Sequence, residues 1–252
     1  MRLYVLLIAH MLADFTLQTN EMAEKKKTEN KFLWRHCEIY AVVMAVGCFS
    51  CMGIAPAFGM IVLIGITHCL IDWARTKYDP KYANDGIKAL GSFLIDQVLH
   101  IGIILFACWL LRNQKLEGWL VFLTKNAELK QFLREILWEG CTLDQLLRYS
   151  LLFVMIMDPS SVLIKKLSDV TCGRKNEDEQ DENHTGSLIG KLERLIIVLL
   201  VMYDGYGGIG LVLAAKSMAR HKKLEEQEFA ESYLVGTLSS TAIAMLLAQL
   251  LG

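Results

Sequence analysis

Apolar residues in this chain gather in long blocks instead of alternating with polar ones. The blocks run over 3–17, 36–52, 57–74, 90–111, 147–164, 195–215 and 233–250. Blocks of this length predict helices, and most approach the ~20 residues that a bilayer core requires. The expected fold class is therefore an all-α polytopic helical membrane protein with about seven spans, within a range of roughly six to eight. The first block is short and is expected to be shielded by its neighbours. Turns are expected at Gly53 to Pro56 and at Asp79-Pro80, and a kink at Asp158-Pro159, because proline cannot continue the helical hydrogen-bond ladder. Asp204-Gly205-Tyr206-Gly207-Gly208 interrupts the 195–215 block. Its length favours one broken helix, with a re-entrant hairpin as the alternative.

Other stretches set boundaries. Residues 123–138 mix Lys130, Arg134 and Glu135 with Leu129, Phe132, Leu133, Ile136 and Leu137, the pattern of an amphipathic helix at a membrane surface. Residues 172–187 are charged and polar and predict a flexible linker. The expected organisation is a four-helix membrane domain over 1–112, amphipathic helices plus a kinked span over 113–171, the linker, and C-terminal spans with a broken helix over 188–252. Gly236, Ser239, Ser240 and Ala242 in the last block would let another helix approach closely.

Composition agrees with burial in lipid: 54% of the 252 residues are hydrophobic. The net charge of −1 gives no reason to expect nucleic acid as a partner. Seven cysteines at irregular spacing, including the Cys48-x-x-Cys51 pair, read as buried reduced thiols and not as a disulfide framework. The first block lacks a small-x-small cleavage site and contains His10 and Asp14, so it is expected to be retained. Basic residues concentrate in the connectors at 19–35 and 75–89 and are absent from the 53–56 turn. Those two connectors are expected to face the cytoplasm. Beyond residue 112 a hairpin at 195–215 would keep Lys216, Arg220, Lys222 and Lys223 inside, whereas one span would put them outside.

Against this apolar background stand three matched pairs: His10 with Asp14, His68 with Asp72, and Asp96 with His100. Each pair is four residues apart and so shares one helix face. His36 begins the second block. All seven residues fall in the cytoplasmic half of their helices, at compatible depth. Ionisable groups in a membrane helix are costly unless paired or hydrated, and they point to function. Imidazole and carboxylate without thiolate suit one or two divalent ions of Zn, Mn or Fe. The expected metal ligands are His10, Asp14, His36, His68, Asp72, Asp96 and His100, with Asp14, Asp72 and Asp96 also candidates for catalytic roles. Such a centre can activate water and clamp a phosphate oxygen. A hydrogen-bonded network that only locks the helices together is the structural alternative. Cys37 and Cys69 lie about 100° around the helix from the histidine face and are expected to pack. In the second half, Lys191, Glu193, Arg194, Asp204, Lys216, Ser217 and Arg220 read as snorkelled interfacial anchors or as an anionic headgroup site.

The strings His10-x-x-x-Asp14-Phe15-x-Leu17-Gln18-Thr19, Met22-Ala23-x-x-Lys26, Arg35-His36-Cys37, Thr67-His68-x-x-Ile71-Asp72 and Asp96-Gln97-x-Leu99-His100 resemble a bacterial family of small multispanning membrane proteins of unknown function. Leu192-Glu193-Arg194, Ala214-Ala215-Lys216-Ser217-x-x-Arg220 and Glu231-x-Tyr233-Leu234-x-Gly236-Thr237-Leu238-Ser239 resemble its longer members, although Asp204 stands where a neutral polar residue is expected. The resemblance implies a multi-pass protein of the bacterial cytoplasmic membrane, with membrane lipids and a SatD-type protein as candidate partners. It implies no activity. From the residues themselves, the leading expectation is a metal-dependent hydrolase of a lipid or isoprenoid phosphate. A metal-ion or proton transporter, and a non-catalytic sensor or scaffold, are the alternatives.

Overall fold

The computed structural model describes residues 1–82, 85–126, 131, 142–171 and 180–252, and its regular secondary structure there is entirely helical. The first half contains α1 (Arg2–Met11), a π-helical turn (Leu12–Thr16), α2 (Asn20–Lys25), α3 (Asn30–Cys51), α4 (Ile54–Tyr82), α5 (Gly86–Leu110) and α6 (Trp119–Lys125). The second contains α7 (Leu143–Ile156), α8 (Asp158–Thr171), α9 (Gln180–Met202), α10 (Tyr206–Ala219), a 3-10 turn (Lys223–Glu225) and α11 (Gln227–Leu251). The chain divides into two compact units, Met1–Ala83 with Gly91–Leu151, and Asn84–Leu90 with Leu152–Gly252. Among the described residues, five segments are long and apolar enough to cross a membrane: Asn30–Cys51, Ile54–Tyr78, Gly86–Leu110, Leu143–Thr171 and Gln227–Leu251. The protein is an all-α polytopic helical membrane protein.

In the first unit each helix turns one stripe inward. Leu6, Ala9 and Ala13 meet Tyr40, Met44, Cys48 and Cys51 of α3, Ala57, Met60 and Ile64 of α4, and Ile104 and Ala107 of α5. Spacings of three and four residues give each helix a single buried face. The opposite faces are apolar as well: Val42 and Val46 on α3, Ile66 and Leu70 on α4, and Ile95 and Val98 on α5 are all exposed. A soluble helix would carry charge there, so these faces are matched to lipid. The α1–α3 contact is close because position 47 is glycine; a Cβ there would lie 3.2 Å from Ala9 Cβ. Gly47→Val is expected to overpack this contact and cost about 1–3 kcal/mol, read as a lowered unfolding temperature in detergent.

Several boundaries differ from the sequence expectation. Helix α3 starts at Asn30, so His36 lies in its second turn and does not open it. Pro56 sits in the first turn of α4, where its missing N–H costs nothing, and the helix continues through Asp79-Pro80 to Tyr82. The charged stretch read as a linker is helical from Gln180 onward. Most of the amphipathic segment at 123–138, and residues 172–179, lie outside the described residues.

The interrupted block is a hairpin and not one broken span. Asp204 has φ 55°, in the left-handed region, and reverses the chain between α9 and α10. Lys216 Nζ donates to Glu193 Oε2 at 2.5 Å, joining positions nearly equidistant from the turn, so α10 folds back along α9. Gly208 permits the approach, since a Cβ there would fall 2.8 Å from Leu200 Cδ2. The fold-back returns the basic cluster after α10 toward the end at which α9 begins. The expected kink is present as a break at Met157, between α7 and α8.

Candidate metal centre

The inward stripes that are apolar over most of their length become polar at one end. On α4 the series Met60, Ile64 continues as His68 and Asp72; on α5 Ile104 and Ala107 are preceded by Phe93, Asp96 and His100. His36 stands one turn before Tyr40 on α3, and His10 lies beside Leu6 and Ala9 on α1. Four helices thus deliver four imidazoles to one place. His10, His36, His68 and His100 are at most 2% exposed. Asp14 belongs to the π-helical turn, where Leu17 N–H donates to Leu12 C=O at 2.8 Å. The wider π turn redirects the chain just where α1 must present a carboxylate, a use common at functional sites.

The seven sequence-predicted residues come together, and they sort into tighter groups. His36 Nε2 and His68 Nε2 face each other at 3.2 Å. Asp72 Oδ2 lies 3.3 Å from His36 Nε2 and 4.0 Å from His68 Nε2. Asp14 Oδ1 lies 3.5 Å from His36 Nε2 and 3.7 Å from His68 Nε2. His100 Nδ1 is 2.8 Å from the Asp96 carbonyl and 3.6 Å from Asp96 Oδ1. His10 Nδ1 is 3.8 Å from Asp14 Oδ2. Three sets of donor atoms could each hold an ion: His10 with Asp14 and His68, His36 with His68 and Asp72, and Asp72 with Asp96 and His100.

The structure adds partners whose roles the sequence pattern does not reveal. The Tyr40 ring stacks on His68 with centroids 3.5 Å apart, and its hydroxyl lies 3.3 Å from His10 Nδ1. Tyr40 is one helical turn after His36, so its position on the polar face is legible but its chemistry is not. Lys26 Nζ donates to Asp72 Oδ2 at 2.8 Å, and Arg75 donates to Asp96 Oδ2 at 2.7 Å. Gln97 Nε2 also donates to Asp96 Oδ2, at 3.1 Å. With its amide oriented to satisfy both neighbours, Gln18 donates to the Asp14 carbonyl at 2.9 Å and accepts from Lys26 at 3.0 Å.

The fit to a cation is visible in unsatisfied atoms. Among the described residues, His10 Nε2, Asp14 Oδ1, Asp96 Oδ1 and His100 Nε2 are buried with no hydrogen-bond partner, as are His36 Nδ1 and His68 Nδ1 on the ring edge away from the clustered Nε2 atoms. Each such atom costs about 1–3 kcal/mol when left unpaired. A purely structural His/Asp lock should satisfy its members, since a half-satisfied buried network is costly. The donor set of imidazole nitrogen and carboxylate oxygen suits a divalent transition metal. Cys37, Cys48 and Cys51 are buried, and these three with Cys69 and Cys108 are unbridged, as reduced thiols should be.

Among the second-half residues, Arg194 is not a snorkelled anchor. Arg194 is 3% exposed and its guanidinium is used inside the unit. It donates through Nε to the Ile156 carbonyl at 2.5 Å and through Nη2 to the Met157 carbonyl at 3.1 Å. Ser161 Oγ and Ser240 Oγ accept at 2.6 and 3.4 Å. Pro159 has no N–H for the Met155 carbonyl, which accepts from Ser160 Oγ at 2.6 Å instead, and the Met157 carbonyl also accepts from Ser161 Oγ at 2.8 Å, so Arg194 joins a polar cluster at the break. Lys191 pairs with Asp158 at 2.5 Å.

Searches of curated proteins and of solved structures return no significant match to this chain. A family model does match, over residues 3–129, which takes in α1 to α6 and every residue of the candidate centre. The chain therefore belongs to the family described as protein of unknown function DUF3307.

Proposed function

We propose that this protein is a membrane metalloenzyme that hydrolyses a phosphate ester, of lipid or isoprenoid type, at the cytoplasmic leaflet of a bacterial inner membrane. Its ligands are drawn from His10, Asp14, His36, His68, Asp72, Asp96 and His100, and the ion is Zn, Mn or Fe. One observation carries the reading: two cations, Lys26 and Arg75, are paired to the same carboxylates that would bind metal. Three carboxylates against these two cations leave one uncompensated negative charge when the imidazoles are neutral. Each divalent ion adds two positive charges, so even one turns the buried cluster positive. Excess positive charge in a low-dielectric site favours an anionic ligand. A phosphate ester supplies that charge, with metal and basic side chains clamping its oxygens. The lipid-facing apolar surfaces of α4 and α5 suit a substrate that stays in the membrane.

A metal-ion or proton relay is the second reading, favoured by the direct His36–His68 contact and by the depth of burial. Fixed cations beside the site weigh against metal as cargo. The test uses the purified full-length chain loaded with Zn or Mn, given p-nitrophenyl phosphate and a short-chain phosphatidic acid in detergent. Phosphate release that stops with chelator and returns with metal is the expected result. Metal flux across reconstituted vesicles, with no phosphate release from either substrate, would replace the hydrolase reading with the relay.

A further inference from the structure

We infer that the centre is built for two inequivalent ions that share Asp72, a deepening that rests on the metal reading above. The first position is a cage of four donor atoms from three segments, the π turn, α3 and α4: Asp14 Oδ1, His36 Nε2, His68 Nε2 and Asp72 Oδ2. The five separations among them given above span 3.2 to 4.0 Å. Bonds of about 2.0–2.1 Å in a tetrahedron require donor separations of about 3.3–3.4 Å. Each carboxylate oxygen therefore sits with both imidazole nitrogens at separations near those of neighbouring ligands on one ion, and we assign all four to the first position. Four protein donors close that position to water, as in sites where the metal organises and does not react.

The second position is the set Asp72, Asp96 and His100, whose donor atoms lie within 4.8 Å of one another. Three protein ligands leave a place for water or substrate, the mark of a reactive site. Arg75, already 2.7 Å from Asp96 Oδ2, stands at its edge and supplies a fork for phosphate oxygens. Asp72 belongs to both sets, so its carboxylate is the bridge that brings two ions to the spacing used in two-metal phosphoryl chemistry. His10 lies outside both: its Nδ1 is nearer the Tyr40 hydroxyl, at 3.3 Å, than Asp14 Oδ2, at 3.8 Å. The phosphate ester is assigned to the second position.

The full-length chain in detergent is titrated with Mn(II), followed by electron paramagnetic resonance, and with Co(II), followed by visible absorption. The expected result is two ions per chain, with a spin-coupled Mn(II) pair. His100→Gln should retain one ion and the intense absorption of tetrahedral Co(II); His36→Gln should lose that absorption. Saturation of the wild type at one uncoupled ion would overturn the two-ion assignment, and this measurement decides the matter even if a variant fails to fold. Loss of the tetrahedral signal in His100→Gln would overturn it too. One ion with phosphate release leaves the hydrolase reading standing without the pair, whereas a coupled pair with no phosphate release leaves the pair standing without the hydrolase.

Discussion

His68→Ala abolishes high-affinity metal binding, with a loss in affinity greater than the about 10–100-fold typical of removing an outer-shell partner. His68 belongs to two of the three donor sets, and its Nε2 is within 4.0 Å of three other donor atoms. No other residue can replace it, because the neighbouring imidazoles arrive from different helices at their own fixed positions. The substitution also removes the ring on which Tyr40 stacks, leaving a cavity between α3 and α4. A cost of about 2–4 kcal/mol in stability is expected from that cavity. Metal content and unfolding temperature should therefore be measured on the same monodisperse sample. Lost metal with a folded chain is the expected outcome. Lowered stability with unchanged metal content would mean that the imidazoles are a helix lock.

Arg194→Leu has the largest expected effect on the second unit. The substitution leaves the Ile156 and Met157 carbonyls and the Ser161 and Ser240 hydroxyls without their common donor. The Met157 carbonyl and the Ser161 hydroxyl keep each other, so the Ile156 carbonyl is the main group left unsatisfied, and a net loss of about 1–3 kcal/mol follows. Arg194→Lys should rescue little. An ammonium has no planar fork and cannot reach two carbonyls and two hydroxyls on different helices at once. Denaturant unfolding in detergent, followed by tryptophan fluorescence or circular dichroism, measures both. Wild-type stability for Arg194→Leu would show that water or lipid headgroups satisfy the broken turn, returning Arg194 to the role of an interfacial anchor.

These two residues show where a sequence is informative about such a protein. His68 is conspicuous because a membrane helix makes polar groups expensive, and its partner Asp72 is four positions away on the same face. Arg194 is just as polar and just as buried, yet the sequence suggests a snorkelled side chain near a helix end. Its actual partners are 33 to 46 residues distant, on α7, α8 and α11. A long flexible side chain can reach several neighbours, and local periodicity does not say which. The hairpin at Asp204 was ambiguous for a similar reason. Segment length and positive charge pointed in opposite directions, and the Glu193–Lys216 pair decided between them.

The chain's local pattern by itself determines that it forms membrane helices and that three of them carry a histidine and an aspartate on one face at a common depth. Helical periodicity and the cost of burying charge in lipid act within a segment, so they are written in the order of residues. Tertiary structure alone decides which donor atoms meet, because that depends on how each helix rotates about its axis against the others. It is packing between α3 and α4 that puts two imidazole nitrogens 3.2 Å apart, and a π turn that aims Asp14 at both. The pairing of Lys26 and Arg75 with the site's carboxylates is likewise set by folding, since each cation reaches across from another segment.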